Sequence, residues 1–125
     1  MSKTIAAIAT GNSVSGIGVI RISGDSAIEI AQKVFKSADN TPLSSLKGYM
    51  AKFGNVYSKG EKYDNAIALV FRAPKSYTGE DVVELSVHGG IFIVEKTLES
   101  VLDAGASPAE AGEFTKRAFL NGKMD

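Results

Sequence analysis

Two charged residues stand inside runs that are otherwise apolar and β-branched: Arg21 in IGVIRIS (17–23) and Glu84 in VVELSV (82–87). If both runs are strands, alternation puts Arg21 on the face of Val19 and Glu84 on the face of Val82 and Ser86. Charges are rarely buried without a partner. Either both point to water, or each is an edge-strand charge that blocks aggregation, or they line a pocket or the seam between two copies. In the second case the chemistry is specific. A carboxylate suits a bidentate contact with an aminopyrimidine-like ring edge, and a guanidinium suits a carboxylate or carbonyl oxygen.

Other segments offer less. The loop GNSVSG (11–16) has the spacing of a phosphate-binding loop, but Ile17 and Gly18 stand where Lys and Ser or Thr are required. Gly16-Ile17-Gly18 followed by Arg21 also fails the dinucleotide pattern, so the loop reads as a flexible turn. His88 is the single histidine and precedes Gly89-Gly90, yet no GxSxG elbow supplies a nucleophile. The histidine reads as structural, and the glycines as a tight turn or a close approach to a ligand at a helix start. Ser76–Asp81 reads as a surface loop. In EFTKRAFL (113–120), Phe114 and Ala118 share a helical face, and Lys116 and Arg117 sit where cations complement the helix dipole.

The elements that must position these residues follow from periodicity. TIAAIA (4–9) and IGVIRIS (17–23) are short strands. Ser26-Ala-Ile-Glu29 has the capping-box pattern, and the helix after it turns Ile28, Ala31, Val34 and Phe35 to one side. Residues 37–47 are turn-rich and read as loop. Strands at 49–57 and 63–72 flank SKGEK, a hairpin signal. The second has apolar residues on both faces and is expected to be central. A strand at 82–87 leads through His88-Gly89-Gly90 into a helix over 91–104, with Ile91, Val94, Leu98, Val101 and Leu102 as its buried stripe and Gly105 as its cap. For the last stretch, Ser107-Pro108 could start a helix at once. Gly112 favours an irregular path with a short helix over 113–121. The order β-β-α-β-β-β-α plus a terminal helix predicts an α+β fold with a mixed, mostly antiparallel sheet and packed helices.

One domain accounts for the 125 residues. Basic and acidic residues balance at 14 each, so the chain is no electrostatic clamp for RNA by itself. It has no cysteine, hence no disulfides, thiolate metal sites or cysteine nucleophiles. One histidine adds no transition-metal cluster. No apolar run is long enough to span a bilayer, and no signal peptide is evident. The chain is therefore expected to be soluble and cytoplasmic, without membrane partners. It ends in FLNGKMD without an evident helix cap or polar tail, and is expected to be part of a longer protein.

Five blocks in order, TIAAIAT, GIGVIRISG, SYTGEDVVEL, HGG and GEFTKRAFLNGKMD, resemble the N-terminal domain of the MnmE (TrmE) family of tRNA modification GTPases. The resemblance covers essentially all of residues 1–125 as one domain. It implies half of an aminomethyltransferase-type folate-binding fold, completed by a second copy in a homodimer. It also implies a 5-formyltetrahydrofolate or methylenetetrahydrofolate donor, with folate contacts at Arg21, Glu84 and Lys123. The parent protein would modify the wobble uridine of tRNA together with the flavoprotein MnmG (GidA). GTP, potassium and magnesium would belong to its GTPase domain, of which this chain has no GxxxxGK[ST] motif. The chain is thus not expected to be catalytic alone. The family's PPGRGG is replaced here by Gly11-Asn-Ser-Val-Ser-Gly16, with Val14 at the arginine's place. Val87 and Ala111 stand where the family commonly has glycine and proline. Two readings compete with the folate-binding module: a stand-alone one-carbon transferase, disfavoured for lack of an acid–base pair, and a purely structural dimerisation domain. Strands 4–9 and 17–23 are the candidate dimer seam, as edge elements.

Overall fold

The computed structural model describes residues 3–10 and 16–123. In chain order the elements are β1 (Ile5–Ile8), β2 (Ile17–Ser23), α1 (Ala27–Val34), β3 (Phe35–Ser37), a 3-10 turn (Leu43–Ser45), β4 (Met50–Ser58), β5 (Glu61–Phe71), β6 (Val82–His88), α2 (Ile91–Asp103), β7 (Ser107–Pro108) and α3 (Glu113–Leu120). The seven strands form one sheet in the order β3-β4-β5-β6-β2-β1-β7. Among the described residues only the short β1–β7 pairing is parallel. The fold is therefore α+β with a mixed, mostly antiparallel sheet, as the element order predicted.

Directly opposed residues in an antiparallel pair share a face, so the register sorts the sheet into two sides. Ile20 opposes Leu85, which opposes Ala68, and Ile22 opposes Val83, which opposes Val70. All six are fully buried. Helices α1 and α2 cover this side, with Ala27, Ile28, Ala31, Val34, Val94 and Val101 in the same apolar cluster. Gly18 lets α2 lie directly on β2, because a Cβ there would stand 2.2 Å from Val94 Cγ2.

Several sequence expectations are corrected. Ser26 makes no side-chain cap bond; its backbone N–H donates instead to Thr4 Oγ1 at 3.0 Å, so α1 is held by β1 rather than by a capping box. Phe35 leaves the helix to open β3, and buried Leu43 and Leu46 anchor the segment read as loop. Strand β5 is central but buried on one face only: Ala66, Ala68 and Val70 are inside, whereas Ile67 is 47% exposed. Ile91 is exposed, and Thr97 takes a place in the α2 stripe. Strands β1 and β2 are not edges, since β2 lies between β6 and β1, and β1 lies between β2 and β7.

The connections follow the turn chemistry more closely. Lys59 and Gly60 have φ of 52° and 81° in the β4–β5 hairpin, the positive pair that a type I′ turn requires. Gly105 caps α2 as expected: its N–H donates to Leu102 O and that of Ala106 to Val101 O, the two bonds of a Schellman motif. The chain then takes the irregular path to α3.

Candidate functional site

On the side of the sheet away from α1 and α2, one row of opposed residues crosses five strands: Ala51, Leu69, Glu84, Arg21 and Ala7. The neighbouring row holds Phe53, Ile67, Ser86 and Val19. Arg21 and Glu84 are thus direct cross-strand partners at the middle of the sheet. Arg21 Nε donates to Glu84 Oε2 at 2.9 Å, and the side chains are 27% and 22% exposed. They neither point into bulk water nor sit on an edge. Sequence alternation placed each on its face, but it gave no means of seeing that the strands adjoin.

The guanidinium has aromatic neighbours from two other segments. Its Cζ lies 5.6 Å from the Tyr77 ring centroid and 5.5 Å from that of Phe114, within the range of cation–π attraction. Glu84 holds Nε, and among the described residues no other side chain or carbonyl bonds the guanidinium. The pair therefore presents guanidinium N–H donors beside a carboxylate acceptor, Glu84 Oε1, on a half-buried surface. Such an edge can read a planar group that itself carries N–H donors beside a carbonyl.

Lys123 comes from the C-terminal side. Gly122 has φ of 72°, its N–H donates to Phe119 O, and that of Lys123 to Ala118 O. This Schellman motif closes α3, so the chain end does carry a helix cap. The stem of Lys123 lies against the loop 76–80: a Cβ on Gly79 would be 3.4 Å from Lys123 Cγ and 2.9 Å from Asn121 Cβ. Asn121 Nδ2 donates to Thr78 O at 2.8 Å. Arg21 and Glu84 are in contact; Lys123 is set against the loop that carries Tyr77.

That loop is not the plain surface segment expected from its composition. Thr78 is fully buried and Ser76 nearly so. Ser23 Oγ donates to Glu80 Oε1 at 2.7 Å, which leaves the Thr78 hydroxyl to donate to Ser23 Oγ, also at 2.7 Å. Arg117 Nη1 donates to both Glu80 oxygens, at 3.1 and 3.2 Å, and Nη2 to Glu113 Oε2 at 3.2 Å. Arg117 is only 8% exposed. It ties α3 to the loop instead of answering the helix dipole from the surface. The one sequence signal for this was the i, i+4 spacing of Glu113 and Arg117.

His88 is 70% exposed, yet it is fixed from below by Asp64. Its Nδ1 lies 2.7 Å from Asp64 Oδ1 and its backbone N–H donates to Oδ2 at 3.2 Å. Burial raises the Asp64 pKa, but the bonds from His88 and the Asn65 N–H outweigh it and hold the carboxyl below its usual range. The pair ties the end of β6 to β5. Gly90 has an ordinary φ of −62° and open space at its Cβ position, so no tight turn demands glycine there. The atypical loop 11–15 lies outside the described residues, as does any contact from it.

No helix among the described residues is long and apolar enough to cross a membrane.

Residues 4–123 match the family described as the GTP-binding protein TrmE N-terminus. The tRNA modification GTPase MnmE of Symbiobacterium thermophilum is 51% identical over 124 residues, covering 98% of this chain and 27% of the relative. Those of Carboxydothermus hydrogenoformans and Chlorobium phaeobacteroides are 49% and 50% identical, covering 100% and 97% of this chain and 28% and 26% of the relatives. The chain thus spans about a quarter of the length of these relatives. With nearly its whole length inside the match, this chain belongs to the TrmE N-terminal domain family.

Proposed function

We propose that this domain binds a one-carbon derivative of tetrahydrofolate, 5-formyl or methylene, on the open face of its sheet, and pairs with a second copy through the same face. The observation that carries the reading is the Arg21–Glu84 pair, in register at the sheet centre with one carboxylate oxygen and the outer guanidinium nitrogens left for a ligand. A pterin's amino-oxo-pyrimidine edge offers the complementary donors and acceptor. Glu84 reads that amino-pyrimidine edge, while Arg21 and Lys123 meet carbonyl or carboxylate oxygens. Leu69 beside Glu84 and Val19 beside Ser86 supply apolar floor for the rings.

Pairing is supported by what the face exposes. Phe53 and Ile67 oppose each other and are 58% and 47% exposed, and Tyr49 packs edge-on against Phe71 beside them. Exposed apolar groups gathered on one face mark an interaction surface. A second copy on it would seal the ligand from water and complete a two-lobed site. This replaces the seam expected along β1 and β2, whose edges are already paired.

In the longer protein the domain would hold the one-carbon donor used, with MnmG, to modify the wobble uridine of tRNA in the cytoplasm. GTP, potassium and magnesium would act at the GTPase domain. Calorimetric titration of this chain with 5-formyltetrahydrofolate tests the reading: the parent is expected to bind, and Glu84→Ala to lose at least tenfold in affinity. Equal affinity in the variant would remove the assignment. A second reading, a dimerisation domain without a ligand, is favoured by the same exposed Phe53 and Ile67. It predicts a dimer in sedimentation and no heat on titration.

A further inference from the structure

The helix α3 has a weak claim to its position on apolar grounds. Of its eight residues only Arg117 and Ala118 are buried, while Phe119 and Leu120 are 62% and 68% exposed. A helix this short does not persist without tertiary contacts. Its placement therefore depends on polar bonds, and these converge on Arg117. One guanidinium nitrogen spans both oxygens of Glu80, and the other reaches Glu113 on the preceding turn. Glu80 is in turn bonded by Ser23, the last residue of the strand that carries Arg21. The connection thus runs from α3 through Arg117, Glu80 and Ser23 into β2. Two lesser ties run beside it, Tyr77 to Thr115 at 3.0 Å and Asn121 to Thr78.

Each group that this helix carries toward the proposed site depends on that attachment. Phe114, one turn before Arg117, flanks the Arg21 guanidinium. Tyr77 flanks it too, from the loop held between Glu80 and Thr115. Lys123 follows the Schellman turn at the end of α3 and rests on Gly79 of that loop.

We propose that Arg117 is a positioning residue for the ligand site: by locking α3 to Glu80 and Ser23 it sets Tyr77 and Phe114 about the Arg21 guanidinium and places Lys123 beside them. It touches no ligand itself. This role rests on the folate-binding reading, but its geometric half concerns Arg21 alone. Lysine at 117 keeps the charge but lacks the planar fork that joins Glu80 and Glu113 at once. Lysine therefore rescues only in part.

The test compares the parent chain with Arg117→Gln, Arg117→Lys and Val101→Ala by two measurements. One is the Arg21 Nε–H resonance in NMR, whose slow exchange reports the Glu84 bond and the aromatic surround. The other is calorimetry with 5-formyltetrahydrofolate. Val101, on the buried face of α2 at the opposite side of the sheet, is fully buried and serves as a destabilised control. Arg117→Gln is expected to speed Arg21 Nε–H exchange and weaken binding about tenfold or more, Arg117→Lys to fall between, and Val101→Ala to lower the melting temperature without changing either readout. If Arg117→Gln unfolds, the intermediate Arg117→Lys decides. Unchanged exchange in both Arg117 variants, or an equal change in Val101→Ala, would overturn the proposal. If the parent binds no folate, the folate reading fails and the exchange data still decide the positioning role.

Discussion

Arg21 and Glu84 illustrate how a partly buried ion pair differs from a surface one. Exposed pairs contribute roughly 0–1 kcal/mol, because two long side chains must be ordered in water. Here the sheet register already fixes both stems, and Tyr77 and Phe114 limit the guanidinium further. The pair is thus a preorganised edge for the proposed ligand. Asp64 supports a separate prediction. Its folded pKa lies below the usual carboxylate value because of His88, against the effect of burial. A depressed carboxylate stabilises the fold above its unfolded pKa, about 3.9, and that contribution is lost as pH falls through the folded value. Asp64→Asn is therefore expected to lower stability on the order of 1 kcal/mol at pH 7, with the difference from the parent shrinking toward pH 2. Thermal unfolding of both proteins at the two pH values measures this. A difference that stays constant with pH would contradict it.

Among the elements, the edge hairpin and the last helix are the most sensitive to single changes. β3 crosses β4 so closely that a Cβ on Gly54 would lie 2.1 Å from Lys36 O and 2.8 Å from Ser37 Cα. Both are backbone atoms, so the strands would have to part. Gly54→Ala is expected to cost about 1–3 kcal/mol, read as a lower denaturant midpoint with unchanged slope. At the other end, Gly122 holds φ of 72° and closes α3. Gly122→Ala should cost about 1 kcal/mol and also weaken folate binding, because Lys123 is placed by that turn. Melting temperature and calorimetry check the two effects together. The hairpin at Lys59-Gly60 and the Gly105 cap were legible in the sequence, since positive φ selects glycine locally. The missing capping box was not: Thr4, 22 positions away, takes the Ser26 N–H.

For the whole molecule, the sheet has one side covered by α1 and α2 and one side partly open. α3 and the loop 76–81 shield the Arg21 end, which leaves the β4–β5 end exposed, the surface proposed above for a second copy. Ile67→Asp, on that open side, is expected to shift sedimentation at micromolar concentration from dimer to monomer, with little change in melting temperature of the separated chain. A dimer that survives Ile67→Asp and Phe53→Asp would place the contact elsewhere. The apolar alternation of β5 points to burial on both faces, yet Ile67 is exposed. Composition cannot tell a core face from an interface face, because both exclude water.

The sequence by itself determined the family, the α+β class, the hairpin and the helix lengths to within a few residues, and the three residue types proposed to meet the ligand. Those features rest on local rules: alternation, helical spacing, turn residues and motif order. Only the tertiary structure decided that Arg21 and Glu84, 63 positions apart, are paired, and that Arg117 is buried against Glu80 rather than exposed. It also showed that β1 and β2 are interior strands of the sheet, and that Phe53 and Ile67 are exposed on the face of β4 and β5. The physical reason is that strand order and register bring distant residues together, and no local pattern encodes which strands will be neighbours.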